Sequence, residues 1–263
     1  MSDLIPAAIK DRLAGDSEKT RAMGESILLA LGVPLMVVLG FGAYAIWHET
    51  ADLDSVEASA LGWAEVWQAI GEHVQLTVVS AAVVVVIAVP LGILLTRPGF
   101  KRAAPAVVGF ANAGQAAPSI GLIVLLAMWL GPGFKTTIVA LTVYGLLPVL
   151  RNTITGLQGV NPTLVEAGRG VGLSNFDVLR RIELPLALPV IMAGVRTALV
   201  LLVGTAALAT FINGGGLGGI ITAGISLYRY SVMVSGAVLV ALLALLVEWL
   251  GRVLELLTRP KGI

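Results

Sequence analysis

The chain has 263 residues, 57% hydrophobic and 13% charged, with a net charge of +1 and no cysteine. Soluble domains average roughly 45–50% apolar and 25% charged residues, so this composition, with a mean hydropathy of +0.94, points to a polytopic membrane protein. The near-neutral charge gives no reason to expect nucleic acid, and the lack of cysteine excludes disulfides, thiolate metal sites and thiol catalysis.

Residues 1–25 mix Lys10, Arg12, Lys19 and Arg21 with Asp and Glu and read as a polar tail. The apolar run at 26–47 is too long for a signal-peptide core and lacks a small-residue cleavage site, so it reads as the first transmembrane helix. Residues 48–72 carry Glu49, Asp52, Asp54, Glu57, Glu65 and Glu72 but no Lys or Arg. Within them Leu61, Trp63, Val66, Trp67 and Ile70 approximate one helical face, which predicts a short helix lying in the interface. The second span is placed at about 74–95 and the third at about 105–130, interrupted at Pro118. The fourth is placed at about 136–150, the fifth at 186–212 and the sixth at 231–254. A glycine-rich loop at 214–219 precedes a short helix or hairpin at 220–230. The expected fold class is all-α, with about six transmembrane helices.

Between the fourth and fifth spans lies a charged island, residues 161–189. Asn161 is a good N-cap and Pro162 suits the first helical position, where no N–H is needed. Gly168, Gly170 and Gly172 end that helix after about two turns. Ser174 starts a second short helix, and Asp177 is placed to return the capping contact. Leu173, Phe176, Leu179 and Ile182 form its apolar stripe, and Pro185 is expected to stop it. Such a soluble helix–turn–helix is a plausible handle for another protein.

Orientation follows from the positive-inside rule. With the N-terminus in the cytoplasm, fourteen of the 17 lysines and arginines fall in cytoplasmic segments, and only Lys135 and Arg229 fall outside. Arg196 lies within the fifth span. Trp47, Trp63, Trp67 and Trp129 then sit near the outer interface, as aromatic belts do. The island and both termini are therefore assigned to the cytoplasm.

Enzymatic readings find little support. His48 and His73 are placed near the outer surface and lack metal-ligand spacing. No span holds paired carboxylates at mid-depth; Glu248 with Arg252, and Glu255 with Arg259, read as i,i+4 pairs at a charged helix end. No phosphate loop is present, so if the chain uses ATP energy a partner must hydrolyse it. Polar residues inside spans are costly and more informative. Asn112, Gln115 and Ser119 fall on one face beside Pro118, which suggests either the lining of a path or hydrogen bonding between helices. Thr142, Gly145 and Asn152 share a face of the fourth span, and the fifth carries Arg196, Thr197, Gly204 and Thr205. Arg196 lies about 16 Å past Pro185 along the helix, deep enough to need a partner, water or a carbonyl at a helix end.

The island resembles the E-A-A signature of binding-protein-dependent ABC importer permeases. Glu166-Ala167-Gly168 is followed by Gly172 and then by Ile182-Glu183-Leu184-Pro185, with the signature's spacing throughout and Gly168 in place of its second alanine. The stretches 115–119, 144–153, 183–197 and 204–218 further resemble the glycine betaine/choline osmoprotectant permeases, although Asn213 and Ala116-Ala117 depart from that family's usual residues. The resemblance covers roughly residues 70–258. It implies a type I ABC importer (MetI-like) permease fold at 73–258, after the tail and a first helix with its acidic segment at 26–72. The coupling loop is implied at 151–185, with Glu166, Ala167, Gly168, Gly172, Ile182, Leu184 and Pro185 contacting the ATPase. It also implies a path lined by some of Asn112, Gln115, Pro118, Ser119, Asn152, Arg196, Thr205 and Asn213. The implied partners are cytoplasmic ABC ATPase subunits, a second permease subunit and an extracytoplasmic substrate-binding protein, within the lipid of a bacterial or archaeal plasma (inner) membrane. No cofactor is implied in this chain, ATP and magnesium belonging to the ATPase. The cargo the resemblance implies is a small osmolyte such as glycine betaine, choline or a related quaternary amine; the alternatives are another small solute carried by the same machinery, an amino acid or methylated metabolite, or an ATP-independent channel or secondary transporter.

Overall fold

The computed structural model describes residues 31–258, which form helices and loops with no strand among the described residues. In chain order these are α1 (Leu31–Thr50), α2 (Ser55–Ala60), α3 (Trp63–Thr96), a 3₁₀ turn (Lys101–Ala103), α4 (Ala104–Ala116), α5 (Ser119–Leu130) and α6 (Phe134–Gln158). Then come α7 (Pro162–Gly170), α8 (Asn175–Val178), a π-helical turn (Leu179–Glu183), α9 (Leu184–Ala206), a 3₁₀ segment (Ala207–Ile212), α10 (Gly218–Ser226) and α11 (Tyr230–Leu257). The tail at 1–25 and the start of the predicted first span lie outside the described residues. Five helices are long and apolar enough to cross a membrane, and α4 with α5 makes a sixth only if the bent pair counts as one span.

Helix α6 is the centre of the bundle, packed between α3 and α9. Half of its most apolar window is buried (50%), against 6% for α1, yet its mean hydropathy of 1.4 is the lowest of the five. A helix that faces protein on most sides does not need an apolar surface for lipid. Two of its buried threonines turn their hydroxyls onto the preceding turn, Thr153 to the Val149 carbonyl at 2.7 Å and Thr137 to Gly133 at 3.1 Å. The predicted polar face at Thr142 and Gly145 is part of this packing: both are buried.

The interfacial helix expected around residues 61–70 does not form as a separate element. Trp63 begins α3, whose 34 residues extend roughly 51 Å, well beyond a hydrocarbon core of about 30 Å. Leu61 and Val66 are fully buried because α1, α10 and α11 supply Tyr44, Leu217, Ile220 and Val232 to cover them. The short α2 is capped by Asp54, which accepts from the Val56 and Glu57 amides while Glu57 returns to the Asp54 N–H. Arg229 pairs with Asp54 at 2.8 Å, and the Ser231 hydroxyl donates to Glu57. The acidic segment is thus tied to the start of α11.

The third predicted span is broken rather than merely interrupted. Helices α4 and α5 meet at 99°, and at 13 and 12 residues neither alone crosses a bilayer. Ala117, preceding Pro118, is held extended. The Tyr144 hydroxyl of α6 donates to the Ala117 carbonyl at 2.5 Å, and Gln115 Nε2 reaches the Tyr144 carbonyl at 3.4 Å. Helix α6 therefore satisfies the backbone group that the break sets free.

His73, on the first third of α3, is fully buried among protein side chains. Its Nε2 faces the Val203 carbonyl at 2.9 Å, and its Nδ1 accepts from the Leu217 amide at 3.3 Å. One neutral tautomer, carrying its proton on Nε2, serves both bonds. Glu72 accepts from the Gly216 amide at 2.9 Å. Two adjacent residues of α3 thereby anchor the glycine-rich loop. Replacing His73 with Phe keeps the volume but leaves the Leu217 amide buried without a partner, at a cost of roughly 1–3 kcal/mol. Amide exchange across 214–220 in the H73F variant should accelerate about tenfold, read by hydrogen-exchange mass spectrometry, with little change in α6.

Candidate functional site: the island and the polar groove

The island's first helix, α7, ends by the mechanism its sequence suggests. Asn161 Oδ1 accepts from the Thr163 amide at 2.9 Å. At the other end the Leu173 amide donates to the Gly168 carbonyl at 3.1 Å and the Gly172 amide to Arg169 at 2.9 Å. This is a complete Schellman cap, with Gly172 at φ +89° in the position that disfavours a side chain. Gly168 is buried where α7 leans on the next helix, and a Cβ there would stand 2.5 Å from the end of the Ile182 side chain. Glu166 and Ala167 lie on the exposed side. The Glu166 carboxylate has no hydrogen bond or ion pair with any described residue, Arg169 included. Leu164, Val171 and Phe176 are exposed apolar residues on the same island.

The second helix departs from expectation in two ways. Phe176 points outward and Val178 takes its place as the buried residue, 1% exposed. Nor does Pro185 end the helix. The Leu184 amide reaches back five residues to the Leu179 carbonyl, a π turn. The wider turn leaves space for the Pro185 ring, which otherwise clashes with the carbonyl four residues earlier. The chain is therefore one continuous helical rod from Asn175 to Ile212. Ser174 caps it by accepting from the Asp177 amide at 3.1 Å; Asp177 answers to the Ser174 hydroxyl, at 2.5 Å, rather than to its backbone. Ile182, Leu184 and Pro185 are half-buried at the rod's base.

Glu183, between Ile182 and Leu184, is almost fully buried at 8% exposure. Arg97, just past the end of α3, grips it with two hydrogen bonds, Nη1 to Oε1 at 3.2 Å and Nη2 to Oε2 at 2.5 Å. This pair links the island to the second membrane-spanning helix. The sequence reading used Arg97 only as a positive charge and missed it.

The predicted path residues separate into several environments. Ser119, Arg196 and Thr205 meet in one groove of about 720 Å³, joined by Thr197, Gly204 and Glu248. Pro118 stands at the break beside Ser119, and Gln115 braces that break. Because the bend follows residue 116, Asn112, Gln115 and Ser119 share no continuous face, and Asn112 lies exposed on α4. Asn152 is packed into the α6–α9 crossing, where a Cβ on Gly194 would be 2.6 Å from it. Asn213 is exposed and closes the 3₁₀ segment in the left-handed conformation, φ 57°.

Arg196 finds its partners across the groove wall on α11. Its Nη1 lies 3.8 Å from Glu248 and its Nε 3.5 Å from Glu255. The i,i+4 pairing read for Glu248 with Arg252 is not formed, and Arg259 lies outside the described residues. The signal was present in the sequence: Glu248 and Glu255 are two turns apart on one face, a spacing that lets a single arginine sit between them. Among the described residues, no group of histidine and carboxylate side chains is suited to hold a metal.

Residues 88–260 match the family described as the inner membrane component of binding-protein-dependent transport systems. The glycine betaine/carnitine/choline transport system permease protein OpuCB of Bacillus subtilis is 44% identical over 193 residues, covering 73% of this chain and 88% of that protein. The osmoprotectant import permease protein OsmW of Salmonella typhimurium is 39% identical over 197 residues, 73% and 91% of the two chains. Among solved structures, an inward-facing MetNI methionine ABC transporter chain superposes with a TM-score of 0.66 at 27% identity, over 74% of this chain and 96% of that one. With its signature island, its helix order and a match running from the middle of α3 to the last helix, the chain belongs to the binding-protein-dependent ABC transporter permeases.

Proposed function

We propose that this permease moves a small quaternary amine, such as glycine betaine or choline, inward across the plasma membrane, driven by ATP hydrolysed on a separate subunit. The observation that carries the cargo is its 44% identity, over most of both chains, to a permease named for glycine betaine, carnitine and choline. A methionine transporter shares the fold at 27% identity, so an amino acid is the second reading. Binding of glycine betaine, choline and methionine to the cognate external binding protein, by calorimetry, decides between them; methionine alone binding overturns the first.

In this reading two permeases enclose the path, two ATPases carrying ATP and magnesium hold their islands, and both termini and residues 151–185 face the cytoplasm. The permease domain occupies 73–258, and the helix and acidic segment at 26–72 precede it. The island's geometry supports ATPase docking: Glu166 is exposed and unengaged, and Leu164, Val171 and Phe176 are exposed apolar side chains on the same island. Gly168 against Ile182, and Val165 in one apolar cluster with Leu184, hold the docking helix on the rod, with Pro185 at the rod's base. Movement of the island then turns α9, which carries Arg196 and Thr205 along the groove.

Gly172→Val forces a β-branched side chain into the positive-φ cap, at roughly 1–2 kcal/mol, and distorts the docking helix. Together with Glu166→Lys, it should abolish uptake and solute-stimulated ATP hydrolysis in proteoliposomes while membrane levels stay normal; full uptake by both variants would sink the docking assignment. Arg97→Ala strands Glu183, and because the guanidinium is partly exposed the loss should fall at the low end of about 3–5 kcal/mol. A thermal-shift assay in detergent checks it, with Glu183→Gln in the same background expected to restore much of the difference.

A further inference from the structure

The groove holds two opposite charges that are close but not bonded. Arg196 and Glu248 both line it, with Nη1 and Oε1 3.8 Å apart, and the Nε contact to Glu255 is 3.5 Å. Ordinary N–H···O bonds between ions measure about 2.7–2.9 Å, so the five-donor guanidinium has no hydrogen bond of normal length among the described residues. The wall beside it is apolar, made by Val200, Leu201 and Leu208. The Arg97–Glu183 pair shows that this same chain closes an ion pair tightly where nothing has to enter.

We propose that Arg196 and Glu248 form an exchangeable pair that serves as a transient subsite for a zwitterion, an inference that rests on the quaternary-amine reading above. A betaine carries a carboxylate and an onium group a few ångströms apart. Its carboxylate matches the planar fork of Arg196, which offers two parallel N–H donors. Its methylated nitrogen has no N–H to offer, so Glu248 attracts it by charge alone while its methyl groups lie against the apolar wall. The zwitterion substitutes for both members of the pair, leaving neither ion stranded in a weakly hydrated groove. A simple quaternary cation meets Glu248 but brings no carboxylate for the Arg196 fork once their pair opens, and Glu255 at 3.5 Å offsets only the charge of Arg196, not its free donors. The groove therefore favours zwitterions over cations of the same headgroup, independently of the binding protein's own selectivity.

The test uses the full transporter in proteoliposomes, with its ATPase and binding protein, and both glycine betaine and choline at saturating concentration. The readout is the ratio of the two uptake rates, which expression level does not alter. Arg196→Gln should lower the betaine-to-choline ratio about tenfold, the scale of one charge-assisted hydrogen bond. Arg196→Lys, which keeps the charge without the fork, should fall between. Glu248→Gln should raise the ratio by slowing choline more, and it carries the test if Arg196→Gln does not assemble. Ratios unchanged from wild type in all three variants overturn the subsite and make the pair purely structural, while leaving the quaternary-amine reading intact. A wild type that moves neither solute overturns both.

Discussion

Lipid offers no hydrogen bonds, and the architecture follows from that constraint. Three places where the chain departs from a straight apolar helix are answered by a neighbouring element. The break at Pro118 frees the Ala117 carbonyl, and Tyr144 of α6 takes it. The π turn before Pro185 omits one rung of the helical ladder, and Arg97 steadies the same turn through Glu183. His73, polar and fully buried, is held between Val203 and Leu217. Because α6 and α9 supply so many of these partners, they form the core, and α1 and α5 lean on it with few buried residues, Tyr44 and Ile123 among them.

The continuity of the rod from Asn175 to Ile212 gives the island mechanical meaning. Thirteen residues separate Glu183 from Arg196, about 20 Å of helix. A hinge at Pro185 would have disconnected the two; the π turn keeps them in one body. The Schellman cap at Gly172 folds α7 back onto this body, with the buried Gly168 against Ile182 as the point of contact. A load applied to the exposed face of α7 therefore reaches the groove through packed atoms rather than through a flexible loop.

Local features were legible in the sequence and distant partners were not. Composition fixed the all-α membrane class, Asn161 and Ser174 marked real helix starts, Gly172 marked a real stop, and Pro118 marked a real break. Each of these depends on residues within a turn of one another. The angle at Pro118 was not readable, because it depends on how α6 holds both halves. The interfacial helix was misjudged because an apolar face looks the same whether lipid or protein covers it. Arg97 with Glu183, and His73 with Leu217, lie 86 and 144 residues apart, and no periodicity specifies such pairs. Phe176 shows the opposite error: it fits a helical stripe but points to the exposed side, while Val178 takes the buried place.

The two arginine sites place the same chemistry in two different geometries. Arg97 and Glu183 meet bidentately at 2.5 and 3.2 Å, with the carboxylate buried, so breaking the pair leaves a charge that nothing else can satisfy. Such a pair is suited to carrying force. Arg196 is held at 3.5 and 3.8 Å between two carboxylates beside an open groove. At those distances Coulomb attraction keeps the charges together without committing the donors, and partial solvation lowers the cost of parting them. A tight pair in that position would bar the groove, and an apolar substitute would offer a charged solute no purchase. A loose pair of opposite charges meets both demands, provided that the solute brings both charges with it.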